Sequence, residues 1–148
     1  MSYHTWSIDG LGFYVDDIKT TPERVLKLAA LDEDVLSSVR EYLDMVYTGG
    51  YQDTDIQMHD FNEFEGDGYA MGLAAIIQDV ITNELPVTFA EDFDCNNFIL
   101  YTPTYPWHLT EKEKSLTPED IVNILQKYIS ILTDEHVPIT YYSVENGG

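Results

Sequence analysis

The chain is poor in basic residues and in cysteine. Its 148 residues include 7 lysines and arginines against 27 aspartates and glutamates, so the formal net charge is -20. Cys95 is the single cysteine, which excludes an intrachain disulfide. No apolar run approaches the roughly 18 residues of a membrane-spanning helix, and the first residues have neither the basic nor the apolar region of a secretory signal. These absences predict a cytoplasmic protein.

The shortage of positive charge also narrows the possible partners. Nucleic acids and anionic lipids are themselves negative and would be repelled, so we expect no direct nucleic-acid binding and no membrane association. Collecting so many like charges destabilises a compact fold. Three explanations stay open: a surface kept soluble or adapted to high salt, a cationic partner, or a metal that neutralises a carboxylate cluster.

Despite its charge the chain carries enough apolar material for a core. Apolar residues make up 44% of it and tyrosine alone occurs 11 times, which favours one folded domain over residues 1–148. Thr21-Pro22-Glu23 and Thr117-Pro118-Glu119 are helix starts, each with a capping residue followed by proline. Apolar residues recur at helical spacing after both of these starts and after Asp32. A nearly continuous apolar run occupies residues 68–82.

Four shorter segments have the composition and alternation of strands. They are residues 6–15, with a phase shift at Gly10 that suggests a bulge or tight turn, residues 87–89, residues 98–102 and residues 139–144. Since few strands are interleaved with helices, the sequence predicts an α+β fold. We expect a small, mostly antiparallel sheet with about four helices packed on it.

The acidic residues are unevenly distributed along the chain. Residues 41–110 contain thirteen acids and no lysine or arginine. Two groups stand out: a first acidic cluster of Asp53, Asp55, Asp60, Glu63, Glu65 and Asp67, and a second acidic cluster of Glu91, Asp92 and Asp94. Because unpaired carboxylates repel one another, such clustering favours a site for a basic partner. We predict that these nine residues bind it.

Size, charge and the two chain ends support a resemblance. The opening Ser2–Ser7 and the ending Ser143–Gly148 are similar to proteins encoded by mobile elements of gut bacteria. The whole chain resembles the small acidic proteins of phages and mobile elements, among them DNA mimics and anti-CRISPR proteins. The resemblance implies an inhibitor of a nucleic-acid-binding enzyme. Since DNA mimics share charge and not fold, it transfers no residue roles.

Metal-binding and catalytic patterns are incomplete. The segment Glu63–Gly68 is similar to the start of an EF-hand loop, but Ala74 occupies the position that must supply a bidentate acid. The four histidines are far apart in the sequence, and Cys95 lies in an electronegative setting that disfavours a reactive thiolate. We therefore expect no cofactor, no metal site and no catalytic residue.

The leading hypothesis is a binding module, a monomer or homodimer, whose partner is a basic nucleic-acid-binding protein. Carboxylates would pair with the side chains that otherwise hold phosphates. Two alternatives stay open: a small metal-dependent hydrolase, and a structural subunit of a homo-oligomer.

Overall fold

Four strands form one antiparallel sheet in a computed structural model that describes residues 5–64, 72–102 and 111–147. The strands are β1 (Thr5–Tyr14), β2 (Thr88–Glu91), β3 (Asn97–Tyr101) and β4 (Thr140–Gly147). Their order across the sheet is β2-β3-β1-β4, and every neighbouring pair is antiparallel. β2 and β3 form a hairpin, whereas the long strand β1 pairs with β3 on one side and β4 on the other.

The described residues include six α-helices and two 3-10 turns. The helices are α1 (Pro22–Ala29), α2 (Glu33–Val46), α3 (Met58–Asn62), α4 (Gly72–Ile81), α5 (Glu111–Ser115) and α6 (Pro118–Leu132). The 3-10 turns are Val15–Asp17 and Asp53–Asp55. Four helices have eight residues or more, close to the predicted number, and the α+β class is confirmed. Within these residues no helix is both long and apolar enough to cross a membrane.

The helix starts predicted from the sequence are formed as expected. The Thr117 hydroxyl accepts from the Asp120 N–H, while the Asp120 carboxylate accepts from the Thr117 N–H, a reciprocal capping box. Asp32 caps α2 through the N–H groups of Asp34 and Val35. These local bonds fix where the helices begin, so that α6 packs against β1 and α2 packs against α1 and α4.

The main hydrophobic core lies between the helices and one face of the sheet. α4 packs against β2 and β3, α6 packs against β1, and α1 packs against both of these helices. Fully buried side chains such as Phe13, Ile76, Ile99 and Leu125 fill this layer. The chain thus hides its apolar run 72–81 in the centre, as the sequence predicted.

At Gly10 the apolar side chains of β1 change from one face of the sheet to the other. The prediction of a bulge or tight turn at this position is wrong. The pairing of β1 with β4 continues without interruption from Thr5↔Gly147 to Gly12↔Thr140. Ile8 belongs to a second, smaller core on the other face, whereas Leu11 and Phe13 belong to the main one. The phase shift in the sequence therefore records one strand that contributes to two cores.

That smaller core shows that the sheet curls. It contains Ala90, Leu100 and Val144, from β2, β3 and β4. Although β2 and β4 are at opposite ends of the sheet order, they touch, and the Asn146 amide donates to the Glu91 carbonyl at 2.7 Å. A flat sheet could not bring these strands together. The curl therefore ties the end of the chain to the hairpin that carries the second acidic cluster.

Candidate functional site

Asp60 of the first acidic cluster is buried, with 2% of its surface exposed. Its Oδ2 accepts hydrogen bonds from the Tyr47 hydroxyl at 2.6 Å and from the Gln57 N–H at 2.9 Å. His59 Nε2 lies 3.4 Å from its other oxygen. The bond to Asp60 is the largest cause that raises the pKa of Tyr47 to about 12. Asp60 therefore holds α3 against α2, and its carboxylate is not available to a partner.

Asp53 and Asp55 form the short 3-10 turn that precedes α3. Asp53 accepts from Arg40 at 2.7 Å, and this bond holds the pKa of its carboxyl below the usual range. Asp55 accepts from the Gln52 N–H at 2.8 Å and is otherwise exposed. Arg40 is the last base before the long acidic stretch. One carboxylate of this pair is thus neutralised, while the other faces solvent.

The second acidic cluster lies in the turn of the β2–β3 hairpin, as the sequence predicted. Asp92 organises this turn: its carboxylate accepts from the N–H groups of Asp94 and Asn96 and from the Asn96 amide, each at 2.9 Å. Cys95 follows with a φ of 64°, a left-handed conformation uncommon for a residue with a side chain. Glu91 and Asp94 are exposed on either side of this rigid turn.

An exposed aromatic side chain lies among these acids. Phe93 leaves 55% of its surface exposed within the same turn. Aromatic residues are enriched in protein interfaces, and charged residues surround them at the rim. The turn thus presents one apolar ring between carboxylates.

Two further acids, which the sequence did not single out, join the second cluster. Asp16 and Asp17 belong to the 3-10 turn after β1, and Asp16 accepts from the Asn97 N–H at 3.2 Å. Burial is the largest cause that raises the pKa of the Tyr14 hydroxyl, and the negative charges of Asp16, Asp17 and Asp92 raise it further. The adjacent aspartates were visible in the sequence, but their position depends on the pairing of β1 with β3.

A polar cleft of about 530 Å³ is lined by residues that adjoin the two clusters in the sequence. Asp16, Asn62 and Asn97 line it together with Lys19. Glu63 directly follows Asn62, and Asn97 directly follows the hairpin turn. One end of the first cluster and the base of the second therefore border the same cleft.

The other end of the first cluster borders a different depression. Asp53 lines an apolar groove of about 620 Å³ beside α1. Thr20 lines the cleft and Thr21 lines the groove, and in the same way Met58 belongs to the cleft and Ile56 to the groove. The two depressions are therefore neighbours, separated by these two short pieces of chain.

Most bases of the molecule are already paired with acids. Within the part of the chain that the structure describes, five lysines and arginines form ion pairs, namely Arg24, Lys27, Arg40, Lys114 and Lys127. Among the described residues, no ion pair reaches the exposed acids Asp16, Asp17, Asp55, Glu63, Glu91 and Asp94. We call these six residues the exposed acidic set. Asp16 lines the cleft, and all six carboxylates are exposed to an external cation.

Two predicted site residues, Glu65 and Asp67, lie outside the described residues. Across 5–64, 72–102 and 111–147, no three or more His, Cys, Asp or Glu side chains are grouped so that they could hold a metal ion. Comparison with protein-family models, characterised proteins and solved structures finds no match to this chain. The case for a function therefore depends on the geometry above.

Proposed function

We propose that the protein is a binding module that covers a lysine- and arginine-rich surface of a nucleic-acid-binding protein. The exposed acidic set would form ion pairs with the side chains that otherwise contact phosphates. Because both ligands need the same cations, the module would inhibit by competition with nucleic acid. A small inhibitor of this kind fits a phage or mobile-element protein that acts in the cytoplasm.

One observation carries this proposal: the exposed acidic set comes from the two acidic clusters and the 3-10 turn beside the hairpin, and no ion pair reaches it among the described residues. Where a base lies close to an acid, the two pair within the chain, as in the contact between Arg24 and Asp134 at 2.7 Å. Uncompensated carboxylates repel each other, and this repulsion is relieved when a cationic surface covers them. The exposed acidic set, which has no cation of its own, therefore supports a surface that binds a basic partner.

Two other features support a protein partner over a dissolved cation. The hairpin turn is held by the three bonds to Asp92, so its acids are ordered before binding, which reduces the entropic cost of association. Phe93 offers an apolar contact beside those acids. A protein can bury an aromatic ring and pair with carboxylates at once, whereas a small cation can do only the second.

The first experiment is a capture of proteins from the native cell by the immobilised chain at low and high salt. Long-range charge pairing is screened by salt, so we expect the partner to be retained at low salt and released at high salt. Duplex DNA added at low salt should also displace it. Retention that is insensitive to both salt and DNA would contradict the proposal.

Three double variants, each removing two charges, locate the surface. They are D55N with E63Q, E91Q with D94N, and a control, E119Q with E135Q, whose two acids are exposed but outside the exposed acidic set. We expect the first two to weaken binding by about tenfold or more and the control to weaken it far less. Equal losses in all three variants would mean that only the net charge matters.

A further inference from the structure

The apolar groove beside α1 is long enough to hold more than one side chain. Pro22, Leu26 and Ala30 follow one side of α1 at intervals of four residues, and Ile56 lies opposite them. At 1.5 Å per residue, the distance from Pro22 to Ala30 is about 12 Å. Leu31, 57% exposed, extends the apolar surface beyond the groove. The volume of the groove, about 620 Å³, is typical of ligand pockets.

Two acids, Glu23 and Asp53, line this apolar groove. Beyond Ala30 the chain enters α2, whose first residues, Glu33 and Asp34, are exposed and form no ion pair among the described residues. The groove is thus mostly apolar, with two acids in its lining and two further exposed acids following Ala30 in the sequence.

Positive charge near the groove is limited and already engaged. Lys27 lines it and lies 3.5 Å from Glu23, in a pair whose two side chains are 65% and 80% exposed. Such exposed pairs contribute little, so Glu23 can exchange Lys27 for an external cation at small cost. Arg40 remains with Asp53 at 2.7 Å. Glu23 therefore favours a ligand that carries positive charge beside its apolar contacts.

From this complementarity we propose that the groove seats an amphipathic helix of the partner, with apolar side chains one turn apart and lysine or arginine beside them. Two leucine-like side chains would occupy the space between Leu26, Ala30 and Ile56, the pattern of helix-in-groove recognition. The inference rests on the proposed function, because it names the segment through which the basic partner would bind.

Two synthetic helical peptides test the groove directly. One has a leucine stripe at helical spacing with lysine elsewhere, and the other has the same lysines with serine in place of every leucine. We expect the leucine peptide to bind at least about tenfold more tightly, because burying even one leucine side chain is worth that much. The amide signals of Leu26, Ala30 and Ile56 should shift in an NMR titration.

Removing the charge of Lys27 tests whether the ligand is basic, because a basic ligand should then bind more tightly. K27Q removes the one base that lines the groove and should tighten binding of the leucine peptide about two- to fivefold, as expected for loss of an exposed like charge. K114Q is the matched control, because Lys114 also forms an exposed pair within its own helix, with Glu111. If K27Q weakens binding, or if both variants act equally, the groove assignment is wrong.

A third variant blocks the space without changing the charge. Ala30 is exposed at the end of α1, so A30Q should fold normally while filling part of the groove. The preference for leucine over serine should disappear. If the native protein shows no such preference but binds both peptides in a salt-sensitive manner, the groove inference fails and the proposed function stands. If neither peptide binds with salt sensitivity, both fail.

Discussion

The segment Asp53–Glu63 and the hairpin turn Asp92–Asn96 are similarly acidic, yet they use their carboxylates differently. In the segment, Asp60 is buried under Tyr47 and Asp53 is neutralised by Arg40. In the turn, Asp92 is satisfied only by N–H groups of its own loop, and no base pairs with its neighbours among the described residues. The density of acids in a sequence therefore does not distinguish carboxylates that build the fold from those that face a partner.

The largest effect should come from the buried member of the first cluster. D60A leaves the Tyr47 hydroxyl and the Gln57 N–H without their acceptor, and should lower the free energy of unfolding by about 2–3 kcal/mol. Urea titration measures this loss. E63A, at an exposed position of the same segment, is the control and should leave the midpoint unchanged. If D60A and E63A changed the urea midpoint equally, the buried and exposed acids of this segment would not differ in their contribution to stability.

A smaller, local effect is expected in the hairpin. D92A removes the acceptor for the N–H groups of Asp94 and Asn96, so these two amides should exchange their hydrogens with solvent faster. Asp94→Ala changes a neighbouring exposed acid and should leave the Asn96 exchange rate as it is. The free energy of unfolding should fall less in D92A than in D60A, because the hairpin turn is solvated. Uniform acceleration across the whole molecule would argue against a local role.

The smallest effect is expected in the titration of the carboxyl groups. It separates the two causes that lower their pKa values. The pKa values of Asp53 and Asp92 both lie below the usual range, through the bond to Arg40 in one case and chiefly the Asn96 amide in the other. A lowered pKa contributes stability that is present above the unfolded-state value and is lost as pH falls through the folded-state value. R40M should raise only the Asp53 pKa and N96A only that of Asp92, as measured by carboxyl NMR. If either variant shifted the pKa values of both carboxyls, the two regions would not be independent.

Much of the fold could be predicted because its signals are local. Thr117 and Asp120 specify a helix start within four residues, and the apolar run before Thr82 could only be a buried helix. The curl of the sheet could not be predicted, because it depends on contacts such as that between Asn146 and Glu91, 55 residues apart. The sequence likewise placed the β1 irregularity at Gly10 but could not distinguish a bulge from a change of face.

The candidate site was less predictable for the same reason. Nothing local indicates that Asp60 is buried, since its partner Tyr47 is 13 residues away on another helix. Asp16 enters the site only through strand pairing that brings Asn97 beside it. Asp53 and its partner Arg40 are also 13 residues apart, so their pairing was equally hidden from the sequence. This pair shows that an acid in a stretch without bases can be neutralised by a base just outside that stretch.

The contact between the two end strands has a consequence for assembly. Open sheets offer unpaired N–H and C=O groups along their outer strands, which can recruit other chains into fibrils. Here β2 has only four residues, and the curl turns it towards β4, so the two outer strands partly shield one another. This architecture disfavours edge-to-edge growth at high protein concentration even when salt weakens the repulsion between molecules.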